Sequence, residues 1–137
     1  IARGGKVLFS GKGREGDNFL RPLVIGDASP DMRLGSEETF GPVAPLFRFK
    51  TEEEAIKLAN DTEFGLAAYF YARDVGRVFR VAEAIEAGII GINEGIIATA
   101  EAPFGGIKQS GLGREGSHYG IEEYLETKAF HIGGPDI

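Results

Sequence analysis

The sequence has 137 residues, 42% of them apolar and 26% charged, which is the make-up of an ordinary globular protein long enough to bury a core. Its formal net charge is −6, with acidic and basic residues interspersed and no basic stripe, which disfavours a nucleic acid or another polyanion as partner. Cysteine is absent, which excludes a disulfide framework, a thiolate metal site and a cysteine nucleophile within these residues, and no apolar run approaches the roughly 20 residues that span a bilayer.

In chain order, Lys6 to Ser10 is short and β-prone, and a glycine-rich polar turn follows it. Phe19 to Ile25 reads as a second strand, with Pro22 arguing against a central hydrogen-bonded position. Gly26 to Ser36 reads as loop and Val43 to Phe49 as a strand. Thr51 to Asn60 carries the strongest helix signal. Thr51 and Glu54 form a T-x-x-E capping box that predicts reciprocal satisfaction of two free amides, and three successive glutamates suit the positive end of the helix dipole. Leu66 to Ala72 reads as a buried strand. Asp74 then predicts the N-cap of a helix running to Ala87, with Val75, Val78, Phe79, Ala82 and Ile85 on its apolar face and Gly88 as terminator. Ile89 to Asn93 reads as another buried strand. After a long loop come a helix from Glu115 or Ser117 to Glu126 and a final strand at Ala129 to Ile132. Alternating strands and helices predict an α/β fold with a mostly parallel sheet and flanking helices.

Twenty-one glycines are about twice the average usage, and they read either as many tight turns or as loops shaped around a ligand. Two stretches, Gly11 to Gly16 and Gly111 to Gly116, match G-x-G-x-x-G literally. A dinucleotide fingerprint needs a strand before the run, a helix opening inside it and an acid about 20 residues on. The first run leads into Pro22 and the second follows a glycine-broken segment, so neither reads as a pyrophosphate cradle. His118 and His131, the only histidines, lack a paired acidic cluster and read as solvated or packing residues rather than as a metal site. Ser110 and the other serines lack a G-x-S-x-G elbow. No nucleophile, base or metal cage emerges from the residues alone.

Three segments in register carry a resemblance. They are Glu37-Glu38-Thr39-Phe40-Gly41-Pro42, then Gly65-Leu66-Ala67-Ala68, then the run Pro103-Phe104-Gly105-Gly106-Ile107-Lys108-Gln109-Ser110-Gly111-Leu112-Gly113-Arg114-Glu115. In this order and spacing the chain resembles the C-terminal part of the catalytic domain of the aldehyde dehydrogenase superfamily, over essentially its whole length. The stretch from Asn93 to Gly120 and the segment Ile121 to Glu126 are similar to succinate-semialdehyde dehydrogenases. The resemblance implies a single catalytic-domain portion over 1–137, with 128–137 as an oligomerisation tail. It also implies that the nucleophilic cysteine, the main general base and the cofactor domain are encoded before Ile1, a start without methionine that reads as a fragment inactive by itself.

The resemblance assigns roles by position. Glu38 matches the carboxylate that accepts from the nicotinamide ribose hydroxyls, and Phe40 the aromatic that packs beside the nicotinamide ring. Read without the family, Glu38 is a solvated loop acid and Phe40 a core residue. Phe104 matches an aromatic of the substrate funnel, against ordinary core packing. Glu115 matches a carboxylate of the proton relay, against a helix N-terminal acid favoured by the dipole. Ala98 stands where some relatives place a serine that holds the substrate's distal carboxylate, with Thr99 beside it to supply a hydroxyl.

The implied reaction is oxidation of succinate semialdehyde, or a related dicarboxylic semialdehyde, to the acid with NAD or NADP. An upstream thiolate attacks the aldehyde, hydride leaves for the nicotinamide, and activated water hydrolyses the thioester. The implied partners are a small aldehyde and further copies of the full-length chain in a homodimer or homotetramer. The implied compartment is the cytoplasm, or the mitochondrial matrix of a eukaryote. The alternative is a non-catalytic interaction or oligomerisation module that keeps the fold.

Overall fold

The computed structural model describes residues 3–14, 16 and 18–134. The chain divides into two compact units, Ile1–Thr62 and Glu63–Ile137.

In the first unit, β1 (Lys6–Ser10) pairs antiparallel with β2 (Leu23–Gly26), and β2 pairs parallel with β3 (Val43–Pro45), in the order β1-β2-β3. β2 is therefore central. The strand expected over Phe19 to Ile25 begins only after Pro22, so the residue without an N–H stands outside the doubly paired stretch. The Pro22 carbonyl still accepts from the Gly11 amide at 2.8 Å. The register of β1 on β2 shifts between Val7 and Phe9, a bulge that leaves Leu8 unpaired. Ile25 and Met32 are buried and form the core of this unit.

The loop expected over Gly26 to Ser36 contains one helical turn, α1 (Arg33–Ser36). Arg33 closes it with a two-pronged pair to Glu37, at 2.9 and 2.7 Å. A single turn is too short to leave a periodic apolar signal. The helix expected over Thr51 to Asn60 is α2 (Glu52–Asn60), with Thr51 as N-cap accepting from the Glu54 amide at 3.1 Å. The reciprocal half of the box differs by one residue. Glu54 accepts from the Lys50 amide at 2.7 Å rather than from the amide of Thr51. The strand expected over Val43 to Phe49 stops at Pro45.

In the second unit, β5 (Ala67–Phe70) and β6 (Ile89–Ile92) pair in parallel around the crossover helix α3 (Val75–Ala84), and β4 (Phe64–Gly65) pairs antiparallel with β7 (Ile107–Lys108). Asp74 caps α3, its Oδ1 accepting from the Arg77 amide at 2.7 Å. Val81 is the buried core position of α3. The α/β class is as expected, with parallel and antiparallel pairs shared among three small sheets within the described residues.

Four local expectations are corrected. α3 ends at Ala84, short of Ala87, and Gly88 is not its terminator. Gly88 lies where a Cβ would run into the Gly105 carbonyl oxygen, so its small size serves a close backbone approach. The strands expected to be buried are half-covered in this chain, β5 alternating exposed and intermediate positions. The helix expected from Glu115 or Ser117 to Glu126 is a 3₁₀ segment, Tyr119–Tyr124. Ala129 to Ile132 forms no strand, because it has no pairing edge among the described residues, and Phe130 and Ile132 stand exposed. No helix among the described residues is long and apolar enough to cross a membrane.

Candidate functional site

The sequence-predicted residues fall into both units. Glu38 and Phe40 belong to the first, and Ala98, Thr99, Phe104 and Glu115 to the second.

Glu38 and Phe40 lie on the loop between α1 and β3. The ends of this loop are fixed from within the unit. Before it, Arg33 holds the Glu37 carboxylate, and this hydrogen bond keeps the Glu37 carboxyl below its ordinary pKa. After it, the Pro42 carbonyl accepts from the Leu23 amide of β2 at 2.8 Å. Between these anchors the backbone turns tightly, the Gly41 amide donating to the Thr39 carbonyl at 2.9 Å and the Val43 amide to that of Gly41 at 2.8 Å. Phe40 projects from this turn with 95% of its surface exposed. The core reading of Phe40 therefore fails within this chain. Glu38 is exposed beside it.

In the second unit, the exit of β6 is held by Asn93, which adopts a left-handed φ of 56°. Its side chain accepts from the Ala72 amide at 2.9 Å and donates to the Ala72 carbonyl at 2.8 Å, so an amide side chain continues the pairing past Phe70 and Ile92. Glu94 then accepts from the Gly95 and Ile96 amides at 2.7 and 3.0 Å. The Ile96 bond, followed by that of Gly95, keeps the Glu94 carboxyl below its ordinary pKa. The chain runs on through exposed Ala98 and Thr99 to Ala100, whose carbonyl accepts from the Ser117 amide at 2.8 Å.

Phe104 and Glu115 are brought together. Each backbone amide donates to the other's carbonyl at 2.8 Å, closing the glycine-rich segment between them into a loop. Inside that loop the Ser110 hydroxyl accepts from the Gly65 amide at 3.0 Å. Arg114 donates through Nη1 to the Gly106 and Gly113 carbonyls at 2.8 and 2.6 Å. Gly113 has a φ of 82°, and a Cβ there would lie 2.9 Å from the Glu123 carboxylate. The loop faces a cavity of about 370 Å³ whose lining includes Leu66, Phe104, Leu112, Arg114, Glu115 and Tyr124. Phe104 is half-buried on its wall and Glu115 is exposed. Ala98 and Thr99 lie outside this lining. The helix-dipole reading of Glu115 also fails, because no α-helix begins there and the 3₁₀ segment starts at Tyr119.

Sequence reasoning missed Arg114, Ser110 and Asn93 as builders of this region. The sequence shows no nucleophile elbow around Ser110, and its hydroxyl instead holds β4. The signal for Arg114 was a lone guanidinium inside a glycine run, where carbonyls without nearby side chains need a donor. Chemically, apolar and aromatic groups beside Arg114 and two carboxylate residues, Glu115 and Glu123, suit a small organic molecule and a proton transfer.

The profile of the aldehyde dehydrogenase family matches residues 1–130. The chain is 61% identical over 134 residues to the succinate-semialdehyde dehydrogenase (NADP+) GabD of Escherichia coli strain K12, an alignment that covers 97% of this chain and 28% of that protein. It is 62% identical over 128 residues to a glutarate-semialdehyde dehydrogenase of Pseudomonas putida, covering 93% of this chain and 26% of that protein. Among solved structures, a crystal structure titled as an E. coli NADP-dependent enzyme superposes with a TM-score of 0.87 at 63% identity, over 91% of this chain and 26% of that one. The chain thus spans about a quarter of the length of the relatives it matches.

Proposed function

The chain belongs to the aldehyde dehydrogenase family, and on that footing we propose that it is the part of an NAD- or NADP-dependent semialdehyde dehydrogenase that seats the nicotinamide nucleoside and walls the substrate passage. The single observation that carries this reading is Phe40. A phenylalanine left 95% exposed on a loop anchored at both ends has a free aromatic face held in a fixed place, which is what a flat heteroaromatic ring needs. Glu38 supplies, one residue away, a carboxylate able to accept from two ribose hydroxyls. These residues fit a nicotinamide nucleoside, and the bound dinucleotide would supply the two-electron acceptor for aldehyde oxidation.

In this reading Phe104 shapes the passage for the aldehyde, Glu115 moves a proton to or from water, and the loop at Ala98 and Thr99 meets the substrate's far end. The substrate is succinate semialdehyde or a neighbouring dicarboxylic semialdehyde, and the similarity to the succinate- and glutarate-semialdehyde dehydrogenases supports that class. The residues themselves contain no cysteine, so the thiolate that attacks the aldehyde comes from elsewhere in the protein, and the 137-residue chain alone has no dehydrogenase activity. The segment 128–137, of which 135–137 lie outside the described residues, serves as the oligomerisation tail of a homodimer or homotetramer. Its exposed Phe130 and Ile132 support this. The compartment is the cytoplasm, or the mitochondrial matrix in a eukaryote.

The test is a steady-state assay of the full-length protein and of the 137-residue chain, with succinate and glutarate semialdehydes and with NAD and NADP. Turnover by the full-length protein alone is expected. Turnover by the isolated chain, or by neither protein, overturns the reading.

A further inference from the structure

We propose that Arg114 is a positioning residue, whose guanidinium ties together the two ends of the 106–113 loop and so sets where Phe104 and Glu115 stand against the cavity. One nitrogen, Nη1, carries two N–H groups, and each is used. One donates to the Gly106 carbonyl at 2.8 Å and the other to the Gly113 carbonyl at 2.6 Å. The two acceptors are seven residues apart in sequence, so a single rigid group spans the loop. The Arg114 amide adds a third tie, donating to Glu123 Oε1 at 3.3 Å.

The glycines beside the clamp leave no room for a side chain. A Cβ on Gly105 would lie 2.9 Å from Arg114 Cδ, and a Cβ on Gly113 would lie 2.9 Å from the Glu123 carboxyl carbon. Gly105 adjoins Phe104, which the clamp positions, and Gly113 adjoins Arg114 itself. The Phe104–Glu115 backbone pair closes the same loop one step further out. Arginine suits the task because its planar fork stays charged and pre-oriented, whereas a lysine ammonium is a flexible point donor. This inference rests on the reading of Phe104 and Glu115 as substrate-facing residues.

The experiment uses the full-length protein with Arg114→Met and Arg114→Lys. For Arg114→Met, kcat on succinate semialdehyde is expected to fall on the order of 10- to 100-fold. KM for the dinucleotide should stay unchanged. Arg114→Lys should recover part of the loss. An unchanged kcat per folded active site in Arg114→Met overturns the proposal. So does a lysine variant as slow as the methionine one with the same drop in unfolding midpoint. If Arg114→Met does not fold, Arg114→Lys decides, a lowered kcat at constant dinucleotide KM supporting the clamp and a parental kcat rejecting it. If the parent turns over no semialdehyde, the functional reading fails separately. The clamp is then judged by amide exchange at Phe104 and Glu115, where faster exchange in the lysine variant supports it and parental exchange overturns it.

Discussion

Phe104 and Glu115, eleven positions apart, exchange two backbone hydrogen bonds of 2.8 Å and so share one fixed spacing, and both line the same cavity. The pairing uses only main-chain groups. The Glu115 carboxylate is therefore free of any duty in holding the loop. Glu115→Gln is expected to leave thermal stability within about 0.5 kcal/mol of the parent. It should lower kcat of the full-length enzyme by roughly 100-fold if the carboxylate relays a proton. Parallel pH–rate and thermal-melt measurements check this, and parental turnover would remove Glu115 from the chemistry.

Phe40 separates packing from binding in the same way. A core phenylalanine cut to alanine costs about 3–5 kcal/mol. At 95% exposure Phe40 has almost no burial to lose, so Phe40→Ala should stay within about 0.5 kcal/mol of parental stability. Dinucleotide affinity of the full-length protein should weaken roughly 3- to 10-fold, the size of one aromatic contact. Denaturant titration and calorimetric binding measure the two effects. A core-sized stability loss in the 137-residue chain would contradict the exposed geometry.

The two helix caps should behave as local, independent features. Thr51 accepts from the Glu54 amide and Asp74 from the Arg77 amide. Thr51→Ala and Asp74→Ala should each cost about 1 kcal/mol in equilibrium unfolding. Glu54→Ala frees the Lys50 amide, not that of Thr51, so amide exchange should quicken at Lys50. Quickening at Thr51 instead would restore the ordinary capping box.

Glu94 sets a pH dependence of definite sign. Its carboxylate accepts from the Ile96 and Gly95 amides, which lowers its pKa in the folded state. A lowered folded pKa contributes stability at pH above the ordinary glutamate value, and that contribution is lost as pH falls through the lowered one. The loop leading to Ala98 and Thr99 should therefore loosen only in acid. Carboxyl NMR titration is expected to give a Glu94 midpoint below the ordinary value, with the Gly95 and Ile96 amide shifts moving at the same pH. A midpoint at or above the ordinary value would rule the anchoring out.

What the sequence disclosed divides by range. Thr51 and Asp74 act on neighbours a few residues away and keep the cap roles their sequence predicts, whereas Pro22 predicts a non-central strand and β2 is central, the proline standing just before its paired stretch. The short pair β4–β7 joins Phe64 to Lys108 and Gly65 to Ile107. Two-residue strands so far apart leave no alternation to detect, so they were missed. The segment Tyr119–Tyr124, expected as part of an α-helix, is 3₁₀. Gly88 was assigned to a helix end since a glycine there is the commonest terminator. Its actual neighbour, the Gly105 backbone, is distant in sequence. In the second unit the motif points to Phe104 and Glu115 by position, while Arg114 and Ser110, inside the same run, hold the loop by hydrogen bonds to or from backbone groups that the motif alone does not reveal.

Gly113 tests how tightly that holding is built. Its φ of 82° is strained for any residue with a Cβ, and the added methyl would also sit 2.9 Å from the Glu123 carboxyl carbon. The two penalties have different remedies. In Gly113→Ala both apply. In Gly113→Ala/Glu123→Ala the crowding is gone and the backbone strain of about 1–2 kcal/mol remains. Glu123→Ala also removes the acceptor of the Arg114 amide, so it carries a cost of its own. The double variant should then be more stable than the sum of the single losses implies, with a coupling of at least about 0.5 kcal/mol. Chemical denaturation of all four proteins measures this. Strict additivity would mean that Glu123 moves aside freely and that Gly113 is required for its backbone angle alone.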